Sequence, residues 1–431
     1  MFKRIIIPIL LVISVMFSSC TGIVQVKKTS KIINTNTNKS NSVKIDKSKL
    51  DKKIKFSPYY KKISLTAGYD TLESESERLV YKEILAHCTD FTDEKESSSD
   101  TNYKMESFIV HCSITRRQLA KSLFAVFQDN PQLFWLDEPY AYSISDNYVS
   151  IRLYATMTEA EYNKKMKQLN AVINTILSKL KKGMSEFELE LYFHDYLVKN
   201  CKYLKDSENK EDPYSIYGCL VNQSAVCMGY TSAFQLLLSY VGIESVTVNG
   251  SNTDSGHIWN AVKIEGDWYY TDVTWDDTGD FFMYDNFNIT TKQLKKTHKL
   301  VPKMTAYSDD ELFSEDGTIK TVNLVIPKCT ATKYNYYKYK GSVLSDISDN
   351  NMAEDLAKAA KNREEYFYIY VDPDTMNYKM TYNRLFDKNI FGFSDYIKEA
   401  NSILGSEVLM SAVTVTKKKD LNTITVELQY I

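Results

Sequence analysis

The sequence predicts an α+β protein of more than one domain, and three observations carry that expectation. Apolar residues recur at helical spacing in SERLVYKEIL, RRQLAKSLFAVFQDNP and EYNKKMKQLNAVINTILSKL. Strand-like alternation of apolar and polar residues marks KMESFIVHCSI and YVSIRLYATM. The chain has 431 residues, more than one ordinary domain accommodates.

Reading in order, Met1 is followed by Phe2, Lys3 and Arg4, then by the apolar run IIIPILLVISVMF, then by Ser18, Ser19 and Cys20. A basic start, an apolar run too short for a comfortable membrane span, and small residues after it predict a secretory signal over 1–19. FSSC resembles the bacterial lipobox, whose cysteine becomes the lipidated first residue of the mature protein; Phe17 stands where leucine is usual. That resemblance implies a lipid anchor at Cys20 and a place at the outer face of a bacterial membrane. An ordinary cleaved signal with an incidental cysteine is the alternative. Residues 20–56 are rich in Lys, Ser, Asn and Thr and read as a flexible tether.

Residues 57–164 read as a small N-terminal α+β module, with Pro131 stopping its second helix and Asp146-Asn147 turning its last hairpin. Residues 165–312 follow. SEFELELYFHDYLVKN is helical, with Ser185 and Glu188 in a capping-box pattern. A second helix, 228–241, shows an apolar stripe of Ala233, Phe234, Leu237, Leu238 and Val241, stopped at Gly242. A strand (ESVTVNG), a polar loop (NGSNTDSG) and the hairpin HIWNAVKIEGDWYYTDVTW complete it. Residues 320–431 form a C-terminal α/β module without histidine, to which a binding or spacing role falls by default. Its helices are MAEDLAKAAKN and FSDYIKEANSIL, and its strands EYFYIYVD, LMSAVTVT and TITVELQYI.

Composition excludes some functions. A net charge of −2 offers no basic excess for nucleic acid and no acidic tail for a polycationic partner. The seven cysteines show no CxxC pair, which argues against a zinc ribbon. Export permits disulfides, and Cys88–Cys112 or Cys201–Cys219 are conceivable pairs that sequence does not fix.

The chemistry concentrates on three residues. Cys227 precedes the 228–241 helix, where unpaired backbone N–H groups and the macrodipole stabilise a thiolate; a buried, inert thiol is the plain alternative. His257, one of only five histidines, opens the first strand of the hairpin. With a two-residue turn at Glu265-Gly266, Ile264 pairs with Asp267, Trp259 with Asp272 and His257 with Thr274. His257 and Asp272 then share a face as diagonal neighbours, Cβ atoms roughly 6–8 Å apart. The glycine suits a type I′ turn there; a turn at Gly266-Asp267 would move Asp272 out of reach, and a three-residue turn would break the parity. Trp259, Trp268, Tyr270 and Trp275 gather around the same hairpin, Trp268 and Trp275 as core, Trp259 as core or as a groove wall.

CMGYTSAF, GHIWNAV and DWYYTDVTWDD resemble, in order, the three motifs of the bacterial transglutaminase-like superfamily, a branch of the papain-like cysteine enzymes. YFHDYLVKNCKY and FNIT fit the surroundings of that core, and the resemblance covers 165–310. It implies a papain-like core, a helix carrying the cysteine packed on an antiparallel sheet carrying histidine and aspartate, flanked here by N- and C-terminal α/β modules. It further implies Cys227 as nucleophile, His257 as general base and later acid, and Asp272 as the group that orients the imidazole. The backbone N–H of Cys227, with a side chain from Gln223 or Asn222, would serve an oxyanion hole, and Trp259 and Tyr230 would face a substrate groove. The reaction implied is thiolate attack on an amide, giving a thioester that an amine or water resolves; the substrate would be a peptide, protein or cell-wall amide, with no cofactor. A surface binding or assembly module that kept the fold without turnover is the competing reading. A metal site of Cys227, His257 and Asp272 is disfavoured by the lack of tight local spacing and of a fourth ligand. His194 reads as structural, and Asp276 and Asp277 as structural or calcium-binding.

Overall fold

The computed structural model describes residues 26–28 and 62–430, apart from 96–100, 206–211, 253–254, 280–282, 306–320, 324, 347–350, 388–391 and 406–409. The expected signal at 1–19, Cys20 and most of the expected tether lie outside the described residues. Among those described, no helix is long and apolar enough to cross a membrane. The chain divides into two compact units, one of Met1–Phe282 with Thr297–Lys328, the other of Met283–Lys296 with Cys329–Ile431.

The first unit begins with β1 (Val26–Lys28), α1 (Glu75–His87), β2 (Phe91–Lys95), β3 (Tyr103–Val110), α2 (Arg116–Asp129), β4 (Leu136–Ile144), β5 (Val149–Ala155) and α3 (Glu159–Ser178). The sheet order is β1-β4-β5-β3-β2. Within the stretch expected as a tether, β1 pairs in parallel with Tyr140–Tyr142 of β4. The helices start where the sequence offers caps. Ser74 with Glu77, Thr115 with Gln118 and Thr158 with Glu161 each close a reciprocal capping box. Val80, Ile84, Leu119, Leu123 and Val126 of α1 and α2 join Phe108, Ile151 and Trp135 in one buried cluster.

The same unit continues through α4 (Glu186–Asn200), β6 (Lys202–Tyr203), α5 (Ile216–Leu220), β7 (Ser224–Ala225), α6 (Cys227–Tyr240), β8 (Ser245–Ser251), β9 (Gly256–Ile264), β10 (Asp267–Thr271) and α7 (Val273–Asp276). The capping box of α4 forms as expected, with Glu188 N donating to Ser185 Oγ and Ser185 N to Glu188 Oε2. After α8 (Thr291–Leu294), which belongs to the second unit, β11 (Lys299–Leu300) returns to β8. The resulting antiparallel sheet runs β10-β9-β8-β11. Helix α6 is apolar nearly all round and is buried on almost every face, as a central helix must be.

The hairpin register is the one the turn chemistry predicts. Ile264 pairs with Asp267 and Asn260 with Thr271, and Glu265 (φ 48°) and Gly266 (φ 92°) are both left-handed, as a type I′ turn requires. Two boundaries differ from expectation. The second strand ends at Thr271 rather than running on to Trp275, because the Asp272 side chain caps α7 by accepting from Trp275 N at 3.2 Å. The polar loop is shorter than its composition suggests, since β8 runs one residue past the expected strand, to Ser251, which pairs with Gly256 of β9.

The second unit holds α8, α9 (Tyr336–Lys340), β14 (Ser342–Leu344), α10 (Asn351–Lys361), β15 (Tyr366–Val371), α11 (Tyr378–Phe386), α12 (Phe393–Leu404), β16 (Met410–Lys418) and β17 (Thr423–Tyr430); β12 (Lys303–Thr305) and β13 (Thr321–Asn323) pair in the first. Its sheet order is β14-β15-β17-β16, with Leu356, Ala360, Ile369, Phe393, Ala400 and Val426 in its core. The segment 283–296 belongs here through its side chains. Tyr284 stacks on Tyr336 with ring centroids 3.6 Å apart, and Asp285 accepts from Tyr337 and Lys418.

Candidate active site

Cys227 is the first residue of α6 and is 1% exposed. The N-cap is Val226, whose side chain cannot accept a hydrogen bond, so no N-cap side chain occupies the N–H groups of that first turn. One helical turn on, Thr231 Oγ1 donates to Ile258 O at 3.0 Å, and Asn260 Nδ2 donates to Thr231 O at 3.2 Å. These bonds fasten the cysteine-bearing end of α6 to β9 beside His257.

His257 and Asp272 meet on the face the register predicts, although β10 ends at Thr271 and the expected pairs of Trp259 with Asp272 and His257 with Thr274 do not form. His257 Nε2 lies 2.6 Å from Asp272 Oδ2, with both residues buried. The bond places the proton on Nε2 and leaves the Nδ1 lone pair as the basic site. Burial pushes the Asp272 carboxyl up, but the charge of His257 and hydrogen bonds from His257 and His298 outweigh it and hold the group well below the carboxylate range.

His298 was not among the residues singled out from the sequence. It is fully buried, its Nε2 lies 3.1 Å from the same Asp272 Oδ2, and its Nδ1 lies 2.8 Å from Thr297 Oγ1. Trp275 and Trp259 pack on its ring, with centroids 4.3 and 4.8 Å away. Asp272 is thereby held at both oxygens, Oδ1 by the Trp275 amide and Oδ2 by two imidazoles. The only sequence signal for His298 was its rarity as a residue type, and it lies 26 positions beyond Asp272.

His257, Asp272 and His298 offer three ligand atoms within 4.8 Å of one another. Zinc bonds each ligand at about 2.0–2.1 Å, and the 2.6 Å separation of His257 Nε2 from Asp272 Oδ2 is hydrogen-bond spacing. Both imidazoles satisfy the carboxylate as donors, so the arrangement fits an orienting carboxylate better than a metal centre.

The surrounding candidates fall into different places. Tyr230 is fully buried and donates to Asp277 Oδ2 at 2.5 Å, which makes it a packing and anchoring residue rather than a groove wall. Trp259 is 1% exposed, and its indole Nε1 is buried without a hydrogen-bond partner. Asn222 and Gln223 sit on an exposed turn before β7, with Gln223 left-handed at φ 56°. Asp276 is fully buried and pairs with His194 Nε2 at 3.2 Å, which ties α4 to the segment carrying Asp272; Asp195 lies 3.1 Å from the other ring nitrogen.

No disulfide joins the six described cysteines. Burial raises the Cys219 thiol and its hydrogen bond lowers that of Cys201, so the two sit side by side with Cys219 as donor.

Gly250 shows how closely the site is packed. A Cβ there would stand 2.3 Å from Lys299 O and 2.3 Å from the Trp259 ring. Gly250→Ala is expected to push β11 and the adjoining His298 away from Asp272. Thermal unfolding should report a loss of about 1–3 kcal/mol, with histidine NMR signals shifted at His298.

Replacing His298 tests its role apart from folding. With His298→Ala, turnover is expected to fall about tenfold with KM little changed, and the pH profile should move. His298→Gln, which keeps an N–H for Asp272, should recover part of the loss; equal defects in both variants would reduce His298 to packing.

A helix opening on a cysteine, laid on an antiparallel sheet that buries a histidine–aspartate pair, defines a helix-on-sheet core of the papain-like kind. Residues 174–273 match the family model of the transglutaminase-like superfamily, so the chain carries a transglutaminase-like core. The match includes Cys227, His257 and Asp272 and stops before His298. Among solved structures, one described as a TGase shares 13% identity over 45% of this chain and 56% of its own, with a TM-score of 0.24. A candidate cysteine protease from Cytophaga hutchinsonii shares 9% identity over 42% and 69%, with a TM-score of 0.21. A candidate protease from Parabacteroides distasonis shares 8% identity over 68% and 61%, with a TM-score of 0.23. The chain spans 56% of the length of the first of these. No protein of curated function matches it.

Proposed function

We propose that this protein is a cysteine acyl-transfer enzyme in which Cys227 attacks an amide carbonyl. The observation that carries the reading is the buried 2.6 Å bond between His257 and Asp272, beside a helix that begins at Cys227. In the first half-reaction the thiol proton passes to His257 Nδ1 and the S–C bond forms. The imidazolium then protonates the departing nitrogen as the C–N bond breaks, leaving a thioester. Asp272 keeps the ring in the tautomer this requires. An amine or water then releases the acyl group, giving cross-linking or hydrolysis. The substrate class is a peptide, protein or cell-wall amide, reached from a lipid anchor at Cys20 on the outer face of a bacterial membrane.

Iodoacetamide alkylation of Cys227 against pH tests this. The rate is expected to plateau well below the ordinary thiol pKa of about 8.5, and His257→Ala should abolish the plateau. A slow, ordinary thiol profile that the substitution leaves unchanged would sink the enzyme reading in favour of a surface binding module that kept the fold.

A further inference from the structure

Cys201 and Cys219 form a cluster of two buried sulfurs that the chemistry at Cys227 does not use. Cys201 is the C-cap of α4, its N–H donating to Leu197 O at 2.9 Å. Cys219 lies in α5, its N–H donating to Ser215 O at 3.1 Å. The side chains meet, with the Cys219 thiol hydrogen-bonded to the Cys201 sulfur. The backbones around them are fastened to each other. Lys202 pairs with Ser224 and its N–H donates to Gln223 O at 3.0 Å, while a Cβ on Gly218 would stand 3.2 Å from Ser224 O.

The surroundings favour a sulfur–sulfur bond over two thiols. The Tyr230 hydroxyl hydrogen-bonds the Cys201 sulfur and donates to Asp277 Oδ2 at 2.5 Å. The Asp277 charge opposes ionisation of both cysteines. A disulfide has no proton to lose, so burial beside a carboxylate costs it less than it costs a thiolate. The remaining described cysteines are placed otherwise. Cys88 Sγ donates to Leu85 O at 3.2 Å, Cys112 hydrogen-bonds Ser76, Cys227 opens α6, and Cys329 belongs to the second unit.

We propose that Cys201 and Cys219 are a disulfide-forming pair, oxidised by a thiol–disulfide reagent as the chain folds, whose bond fastens the end of α4 to α5 ahead of the turn leading to Cys227. One protein thiolate attacks the S–S bond of the oxidant, which breaks to release one thiol and leave a mixed disulfide. The second protein thiolate attacks the cysteine sulfur of that intermediate and releases the other thiol. Two protein thiols are oxidised, one disulfide is reduced to two thiols, and the protein protons pass to the released thiolates. Export, proposed above, would supply the oxidising surroundings. The pair does not depend on the catalytic reading of Cys227.

Refolding the purified full chain from urea in a mixture of oxidised and reduced glutathione tests the pair. Free thiols are then blocked with N-ethylmaleimide, and chymotrypsin cuts at Leu220, between Cys219 and Cys227. Mass spectrometry is expected to find Cys201 linked to Cys219 in most molecules and Cys227 blocked. The oxidised wild type should melt about 5 °C above the reduced protein, a difference that Cys219→Ala removes. Cys201 and Cys219 both blocked after refolding, or each linked to another cysteine, overturns the pair. A Cys201–Cys219 link that leaves the wild-type melting temperature unchanged overturns the fastening.

Discussion

Asp272→Asn is expected to lower turnover by roughly two to four orders of magnitude, with KM changed by no more than a few-fold. The carboxylate is buried and accepts from two imidazoles on one oxygen and a backbone amide on the other. An asparagine fits the same space but removes the charge that stabilises the imidazolium. It also presents an N–H where an acceptor is required, which favours the other tautomer of His257 and takes the lone pair away from the thiol. Steady-state kinetics should show the loss in kcat, and the iodoacetamide profile of Cys227 should lose its low-pH plateau in parallel. Wild-type kinetics in the asparagine variant would show that the pair is only structural. Acid should act on the same group. Asp272 has a depressed pKa in the fold, so its stabilising contribution is complete above the unfolded value of about 3.9 and is lost as pH falls below it.

His194→Ala is expected to cost about 3–5 kcal/mol of stability, because it leaves Asp276 as a buried carboxylate stripped of its partner. The pH dependence distinguishes this from simple loss of packing. Burial lowers the His194 pKa, but hydrogen bonds to Asp195 and Asp276 and the charge of Asp276 outweigh it and raise it to about 9. A raised histidine stabilises the fold fully below its unfolded value of about 6.5 and loses that contribution as pH rises through about 9. Urea unfolding of the wild type should therefore weaken across that window by on the order of 2–3 kcal/mol. His194→Gln, which keeps a hydrogen-bond donor without the charge, should flatten the slope. Parallel curves for wild type and His194→Gln would mean that the buried histidine is neutral.

Much of the candidate site was legible in the sequence because its geometry is local. Gly266 with Glu265 dictates a type I′ turn, the turn dictates the register, and the register brings Asp272 to the face of His257. The helix start at Cys227 was legible from the apolar stripe that follows it. Tyr230, which the family resemblance placed at a substrate groove, is buried instead, because its hydroxyl finds a buried acceptor in Asp277, a contact that motif matching does not encode. Asn249 and Gly250 belong by sequence to both the expected strand and the expected loop, because Asn, Gly and Ser are turn formers by propensity. In the fold, Asn249–Ser251 gain strand partners on both sides, and Gly250 is required for the contact with Trp259 and Lys299.

By itself the sequence determined the principal helices and strands, the capping box of α4, and the register that sets His257 and Asp272 on one face. Each follows from forces acting over a few residues: side-chain spacing, cap hydrogen bonds and turn dihedrals. Only the tertiary structure decided that His298 shares Asp272, that Asp276 neutralises His194, and that 283–296 joins the C-terminal unit. Those contacts join residues 26 and 82 positions apart in the first two cases. They are set by which surfaces the closed chain brings together, and no local propensity in the sequence encodes that closure.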